Sequence, residues 1–250
     1  MDWEAIRRAS AAEYAVSPEI HDNDLLLQFL LTHPAFPDPE QAIAYYFSDG
    51  AESARKLSEI LMRNAAFASN GRYSLLEFAS GYGMVTRHLA QQLPDADIVS
   101  CDIHDQAVAF INDTVHSPAV ISRHRPEDLS LDRQFDVVFA LSFFSHMPEA
   151  TFGRWLQALF SLVRPGGILA FTTHGLASQK IFGDVALSES GFAFMPSSEQ
   201  GDLDGNEYGS SISTPDYVIG EVYRRLHAPI CEFRHAYWWG HQDLYVVAKV

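Results

Sequence analysis

Apolar positions follow two different rhythms along this chain. The first 70 residues read as helical. Asp22 to Thr32 carries the run Leu25, Leu26, Leu27, Phe29, Leu30 and Leu31, which stops before His33-Pro34. Proline disfavours a helical residue ahead of it, so a helix ends there and residues 34–39 form a turn. Ser48, Asp49 and Gly50 punctuate the next segment, with Glu52 three residues after Asp49 in a capping arrangement. Leu57, Ile60, Leu61 and Asn64 then mark one face of a further helix.

From Tyr73 the rhythm becomes strand and helix in alternation. Short apolar runs lie at Leu75–Phe78, Ile98–Cys101, Ala119–Ile121, Phe135–Leu141 and Ile168–Thr172. Helical stretches at Met84–Leu93, Gln106–Val115 and Ala150–Val163 separate them. This order predicts an α/β fold with a parallel sheet, helices on both faces and right-handed crossovers. After His174 the pattern weakens. Residues 175–214 are rich in Ser and Gly and read as a lid or irregular insertion. Pro215 opens a last helix to about Leu226. Runs at Ile230–His235 and Leu244–Val250, with Gly240 between them, predict a terminal hairpin.

Composition narrows the function classes. Against 32 Asp and Glu stand 17 Lys and Arg, a formal charge of −15. Such a balance opposes non-specific binding to nucleic acid or an anionic membrane. No apolar stretch approaches a membrane span, and MDWEAIRRAS lacks the order of a signal peptide. The two cysteines, Cys101 and Cys231, stand in apolar runs and read as buried thiols in a cytoplasmic protein.

Two features carry chemistry. Strand residues Leu75–Phe78 run through Ala79 and Ser80 into a turn with glycine at Gly81 and Gly83, and a helix comes after it. Glycines allow close backbone approach to a ligand, and a helix N-terminus offers amide donors. The next strand ends in Asp102, 25 positions after Glu77, where a carboxylate can accept from both hydroxyls of a ribose. Asp105 is the candidate cap of the next helix.

With these residues the chain resembles the class I S-adenosylmethionine-dependent methyltransferases of small-molecule type. The resemblance covers about residues 73–174 by motif and reaches the C-terminus by element order. Glu77-Phe-Ala-Ser-Gly-Tyr-Gly83 is similar to the family's acidic glycine motif, with Ala79 where its first glycine usually stands. Thr86 replaces the third glycine that an NAD-type fingerprint needs. By resemblance, Glu77 orients the cofactor turn or, through water, the methionine ammonium, Asp102 holds the ribose and Ile103 lies against adenine. Arg125-Pro-Glu-Asp-Leu129 is similar to the loop after the third strand, so Glu127, Asp128 and Leu129 belong to the cofactor site, Asp128 accepting from the adenine amino group. Phe135–Ser142 resembles the fourth strand, adding Leu141, Ser142 and Phe143, and Leu162–Leu169 resembles the turn before the fifth. The implied fold is a Rossmann-like, seven-stranded, mostly parallel sheet with an antiparallel last strand. Residues 1–70 form an N-terminal helical cap, and 71–250 the methyltransferase domain with its insertion at about 175–214.

The resemblance implies S-adenosylmethionine as cofactor and S-adenosylhomocysteine as product. Tyr46, Phe143 and Phe144 are candidate walls for the cationic sulfonium. His146 and His174, at the ends of the fourth and fifth strands, are the candidate general bases, with His241 a weaker one. Oxygen is the favoured acceptor atom, on a small molecule that includes sugar-like or lipid-linked compounds. A protein or RNA methyltransferase and a cofactor-binding module without transfer are the alternatives. No metal site is indicated: histidine spacing matches no ligand motif, and Asp202–Glu207 fails the calcium-loop pattern. The pattern leaves the oligomeric state open, a homodimer included.

Overall fold

The computed structural model describes residues 2–65, 71–198 and 200–250. The expected boundary between cap and sheet, at residue 70, lies outside the described residues. The chain divides into two compact units, Met1–Ser122 and Arg123–Val250.

The first unit opens with three helices, α1 (Trp3–Ala12), α2 (Leu25–Thr32) and α3 (Pro39–Asn64). Aspartates start all three. Asp2 accepts the Ala5 amide, Asp24 those of Leu26 and Leu27, and Asp38 that of Gln41. Each satisfies amide donors that have no intrahelical partner. The capping arrangement expected at Asp49–Glu52 is not formed, because α3 runs without a break through Ser48, Asp49 and Gly50. Gly50 serves packing instead: a Cβ there would collide with the carbonyl oxygen of Met84 and the ring of His88.

Strands β1 (Tyr73–Phe78), β2 (Ala96–Asp102) and β3 (Ala119–Ile121) pair in parallel, with Glu77 opposite Ser100 and Cys101 opposite Val120. Helix α4 (Thr86–Gln92) joins β1 to β2. Helix α5 (Asp105–Phe110) comes after β2 and widens into a π-turn over Ile111–Val115. Asp105 does not cap α5. His104 holds the cap position without a side-chain bond, and Asp102 takes the His104 amide.

In the second unit β4 (Phe135–Ala140) pairs in parallel with β5 (Val163–His174) across α6 (Glu149–Ser161). All six residues of β4 are buried, as expected of a strand covered on both faces. The insertion is more ordered than its composition suggests. It holds a 3₁₀ turn over Leu176–Ser178, a short α7 (Gln179–Phe182) and an antiparallel pair, β6 (Phe192–Met195) with β7 (Ser210–Ser213). Helix α8 (Pro215–Leu226) precedes the terminal hairpin of β8 (Ile230–Trp238) and β9 (Gln242–Ala248), and β9 pairs antiparallel with β5. By strand order the sheet is seven-stranded, β3-β2-β1-β4-β5-β9-β8, flanked by helices: the expected fold class. One expectation fails here. Cys231 is exposed, because β8 is an edge strand and turns that side chain outward, whereas Cys101 in central β2 is buried.

The Gly50 contact has a direct consequence. Gly50→Ala forces backbone apart in a packed interior, with a loss of about 3 kcal/mol expected. Thermal melting checks it; an unchanged midpoint would show that α3 and the turn before α4 can separate freely.

Candidate functional site

The first unit builds a turn whose backbone is left-handed at three places. Ala79, Gly81 and Gly83 have φ of 59°, 54° and 80°. Nothing lies within 4 Å of where a Gly81 Cβ would sit, so that side of the turn is open. Asp102 fixes the turn from the end of β2. One carboxylate oxygen accepts the Gly81 amide at 2.7 Å, and the other accepts the His104 amide at 3.0 Å and faces His104 Nδ1 at 2.8 Å. Ser80 adds a buried hydroxyl that has no hydrogen-bond partner among the described residues. An open glycine face, a carboxylate and an unmatched hydroxyl suit a ligand with both hydroxyls and acceptor atoms, as a nucleoside has.

Glu77 lies beneath the turn, 4% exposed. Its Oε2 accepts from Thr86 Oγ1 at 2.5 Å and from Ser100 Oγ at 2.9 Å. Burial raises its carboxyl to about 7, against the lowering effect of those two hydroxyls. Ile103 is half-buried just past Asp102. Tyr46 is fully buried and donates its hydroxyl to Asp24 Oδ2 at 2.7 Å. Burial pushes the Asp24 carboxyl up and the Tyr46 hydroxyl well up.

Sequence reasoning missed Arg87, which joins these parts. Its guanidinium lies 5.4 Å from the ring centres of both Tyr46 and Phe47. Its Nε donates to the Gly83 carbonyl at 3.0 Å, and Nη1 to the carbonyls of Ser17 and Glu19 at 2.9 Å each. The segment before α2 is thereby strapped to the cofactor-type turn. His21 of that segment stacks on Tyr82 at 4.7 Å. No sequence signal distinguishes Arg87 from an exposed helix cation, since its acceptors are backbone carbonyls 68 and 70 residues away.

In the second unit Glu127 pairs bidentately with Arg154 of α6 at 2.6 Å, and Asp128 stands 3.9 Å from Arg125. Leu129 is half-buried beyond them. Past β4, Leu141 leads to Ser142, whose φ is 58°. Side chains hold that strained position: the Ser142 amide donates to Thr172 Oγ1 at 2.8 Å, and Gln242 Nε2 donates to Ser142 Oγ at 2.8 Å. Phe143 packs on Phe144 and Trp155 at 5.3 and 5.1 Å. Phe144 is wholly buried and packs on Phe152 and Phe171.

His146 and His174 are brought together, ring centres 6.0 Å apart. His146 Nδ1 lies 2.7 Å from the Gly209 carbonyl, and Tyr208 stacks on its ring at 4.5 Å. His174 Nδ1 lies 3.2 Å from the Ser211 carbonyl. A carbonyl only accepts, so both rings carry their proton on Nδ1 when neutral. Burial, then the neighbouring His146 and His241, lowers His174 to about 3, so it is neutral near pH 7. The loop before β7, with Tyr208 and Gly209, escapes sequence reasoning because its spacing carries no periodic signal. Among the described residues no three His, Cys, Asp or Glu side chains are grouped so as to hold a metal ion.

The turn also bears on stability. Ala79 carries a left-handed penalty of about 1–2 kcal/mol, and glycine costs about 0.5–1 kcal/mol in unfolded-chain freedom. Ala79→Gly is therefore expected to stabilise by about 0.5–1 kcal/mol in denaturant melts; a loss would place the strain elsewhere. For Glu77, the folded carboxyl keeps its proton up to about 7, whereas the unfolded one loses it near 4.5. Folding takes up a proton between these values, so this group's contribution to stability falls as pH rises through that window. Glu77→Gln should stabilise above pH 7 by up to about 3 kcal/mol, with no gain below pH 4.5. Equal stabilities at all pH values would contradict the assigned burial cost.

Known proteins resemble this chain in part of its sequence and in its fold. The family described as "Methyltransferase domain" matches residues 76–169, the stretch from β1 to the middle of β5. Over 126 residues the chain is 25% identical to a malonyl-[acyl-carrier protein] O-methyltransferase of Acetivibrio thermocellus, covering 50% of this chain and 44% of that relative. The aligned part thus spans less than half of the curated relative. An S-adenosylmethionine-dependent methyltransferase from Clostridium acetobutylicum superposes with a TM-score of 0.57 at 13% identity, covering 78% of this chain and 91% of that one. The magnesium protoporphyrin IX methyltransferase of Synechocystis with bound S-adenosylhomocysteine gives 0.58 at 11% identity, covering 89% and 92%. At those identities the structures speak for the fold, and the family match with the glycine turn and its Asp102 speaks for the kind of site. Residues 76–169 thus match a methyltransferase domain, and the fold is one shared with S-adenosylmethionine-dependent methyltransferases.

Proposed function

We propose that this protein transfers a methyl group from S-adenosylmethionine to an oxygen of a small-molecule acceptor, with His146 as general base. The observation that carries the oxygen reading is the pinned His146 ring. Its Nδ1 proton is committed to the Gly209 carbonyl, so Nε2 is the basic nitrogen. A neutral hydroxyl needs such a base, because it is a weak nucleophile until its proton leaves. His174, lowered to about 3, takes up no proton near neutrality and acts as a hydrogen-bond acceptor beside it.

The cofactor, when bound, supplies an electrophilic methyl on a positively charged sulfur. The remaining work is binding and orientation by this chain. Asp102 accepts from the ribose hydroxyls, the backbone at Ala79, Gly81 and Gly83 lies against the cofactor, and Glu77 stiffens that turn from below. Ile103, Leu129 and Asp128 are assigned to adenine, and Glu127 supports their loop through Arg154. Leu141, Ser142, Phe143 and Tyr46 are assigned to the methionine end. In the transfer, His146 Nε2 would take the proton of the acceptor hydroxyl as its oxygen takes the methyl group that the bound cofactor would supply, with the neutral thioether as the leaving product. The acceptor differs among the proteins compared, a malonyl carrier in one and a porphyrin in another. Those names therefore leave the acceptor to this chain's own chemistry.

The test is transfer of a labelled methyl group to a panel of hydroxyl, amine and thiol compounds. Turnover on hydroxyl compounds is expected, lost by about a hundredfold or more in kcat in His146→Ala. Turnover confined to amines or thiols, or an unchanged rate in the variant, would overturn the oxygen assignment.

A further inference from the structure

His241 extends the histidine pair of the second unit. Its ring centre lies 5.4 Å from that of His174, and its Nδ1 lies 3.1 Å from Ser178 Oγ. Ser178 donates its single hydroxyl proton to the His241 carbonyl at 3.0 Å. The hydroxyl must then accept from His241 Nδ1, which fixes that ring as the Nδ1–H form. His146 and His174 are fixed in the same form by the Gly209 and Ser211 carbonyls. Three adjacent imidazoles thus have Nε2 as their hydrogen-bond acceptor. Burial lowers both His174 and His241, which keeps them uncharged.

Partly exposed rings border this group. Phe182 is 5.0 Å from His174, Trp239 stacks on His241 at 6.2 Å, and Tyr208 stacks on His146. Acceptor nitrogens next to aromatic faces suit a molecule with hydroxyl donors on its edge and C–H groups on its face. A carboxylate brings only lone pairs to those nitrogens and is repelled. Three histidines also invite a metal, but among the described residues no such grouping is arranged to hold one.

We propose that His146, His174 and His241 form an acceptor-recognition array that takes an uncharged, sugar-like polyol and rejects its carboxylate counterpart, with Ser178 positioning His241. This deepens the oxygen-transfer reading and rests on it for the word acceptor. The tautomers, in contrast, are a property of the chain alone.

The experiment is nitrogen NMR of the imidazoles in the full chain saturated with S-adenosylhomocysteine. His174 and His241 are expected as neutral Nδ1–H forms near neutral pH. Addition of methyl glycosides of the common hexoses and pentoses should shift the His174 and His241 signals, while the matching uronates at equal concentration leave them unmoved. Ser178→Ala should mix the His241 tautomers, and His241→Phe should weaken glycoside binding about fivefold or more. Both variants should keep S-adenosylhomocysteine affinity, and the retained affinity reports that they fold. The proposal is overturned by an Nε2–H or charged His174 or His241, by uronates binding as well as glycosides, by no glycoside response, or by a tetrahedral visible spectrum with Co²⁺ alone. Failure of S-adenosylhomocysteine to bind at all would instead remove the methyl-transfer reading and leave the tautomer result standing.

Discussion

The hydrogen bond from the Gly81 amide to Asp102 organises the first unit. A turn with three left-handed residues has no repetitive hydrogen bonding of its own, so something outside it must hold it. The parallel register of β1 and β2 provides that support. It sets Phe78 opposite Cys101, which brings Asp102 out at the level where β1 becomes the turn. The same register sets Glu77 opposite Ser100, whose hydroxyl shares Glu77 Oε2 with Thr86 at the start of α4. Strand, turn and helix are tied at two carboxylates, one facing the turn and one beneath it. Both are costly to bury; Ser100 of β2 and Thr86 of α4 offset part of that cost at Glu77, and the Gly81 and His104 amides do so at Asp102.

In the second unit the corresponding work falls to the insertion. The Gly209 and Ser211 amides donate to the carbonyls of His146 and Ser145, and the Gly209 and Ser211 carbonyls accept hydrogen bonds from His146 and His174. Main chain therefore fixes both ring orientation and tautomer. Carbonyls cannot change protonation, so the arrangement is insensitive to local pH in a way that a carboxylate partner would not be. The serine-rich composition of β7 fits this use: Ser210, Ser211 and Ser213 are small and buried, and they let the strand approach the residues after β4 closely.

Most of the sheet was legible because its strands are short apolar runs separated by amphipathic helices, a pattern set by local burial. The terminal hairpin and the glycine turn were legible for the same reason, with Ala79 marking where the turn departs from the usual glycine. Three things were not legible. Gly50 and Asp49 look like a break, and only the close approach of Met84 shows why a glycine sits in mid-helix. Arg87 reads as a surface cation, since its partners are carbonyls with no side-chain signature. Cys231 reads as buried because it stands among strand formers, and burial on an edge strand depends on which face the pairing turns inward. In each case the deciding contact is long-range, and residue type alone does not encode it.

The central claim is that the glycine turn and Asp102 bind an S-adenosyl cofactor. Calorimetric titration with S-adenosylhomocysteine tests it most directly. The parent protein should bind in the micromolar range, and Asp102→Ala should bind about tenfold or more weakly, because the ribose hydroxyls lose their charged acceptor and the turn loses its anchor. No binding by the parent, or equal binding by the variant, would contradict it.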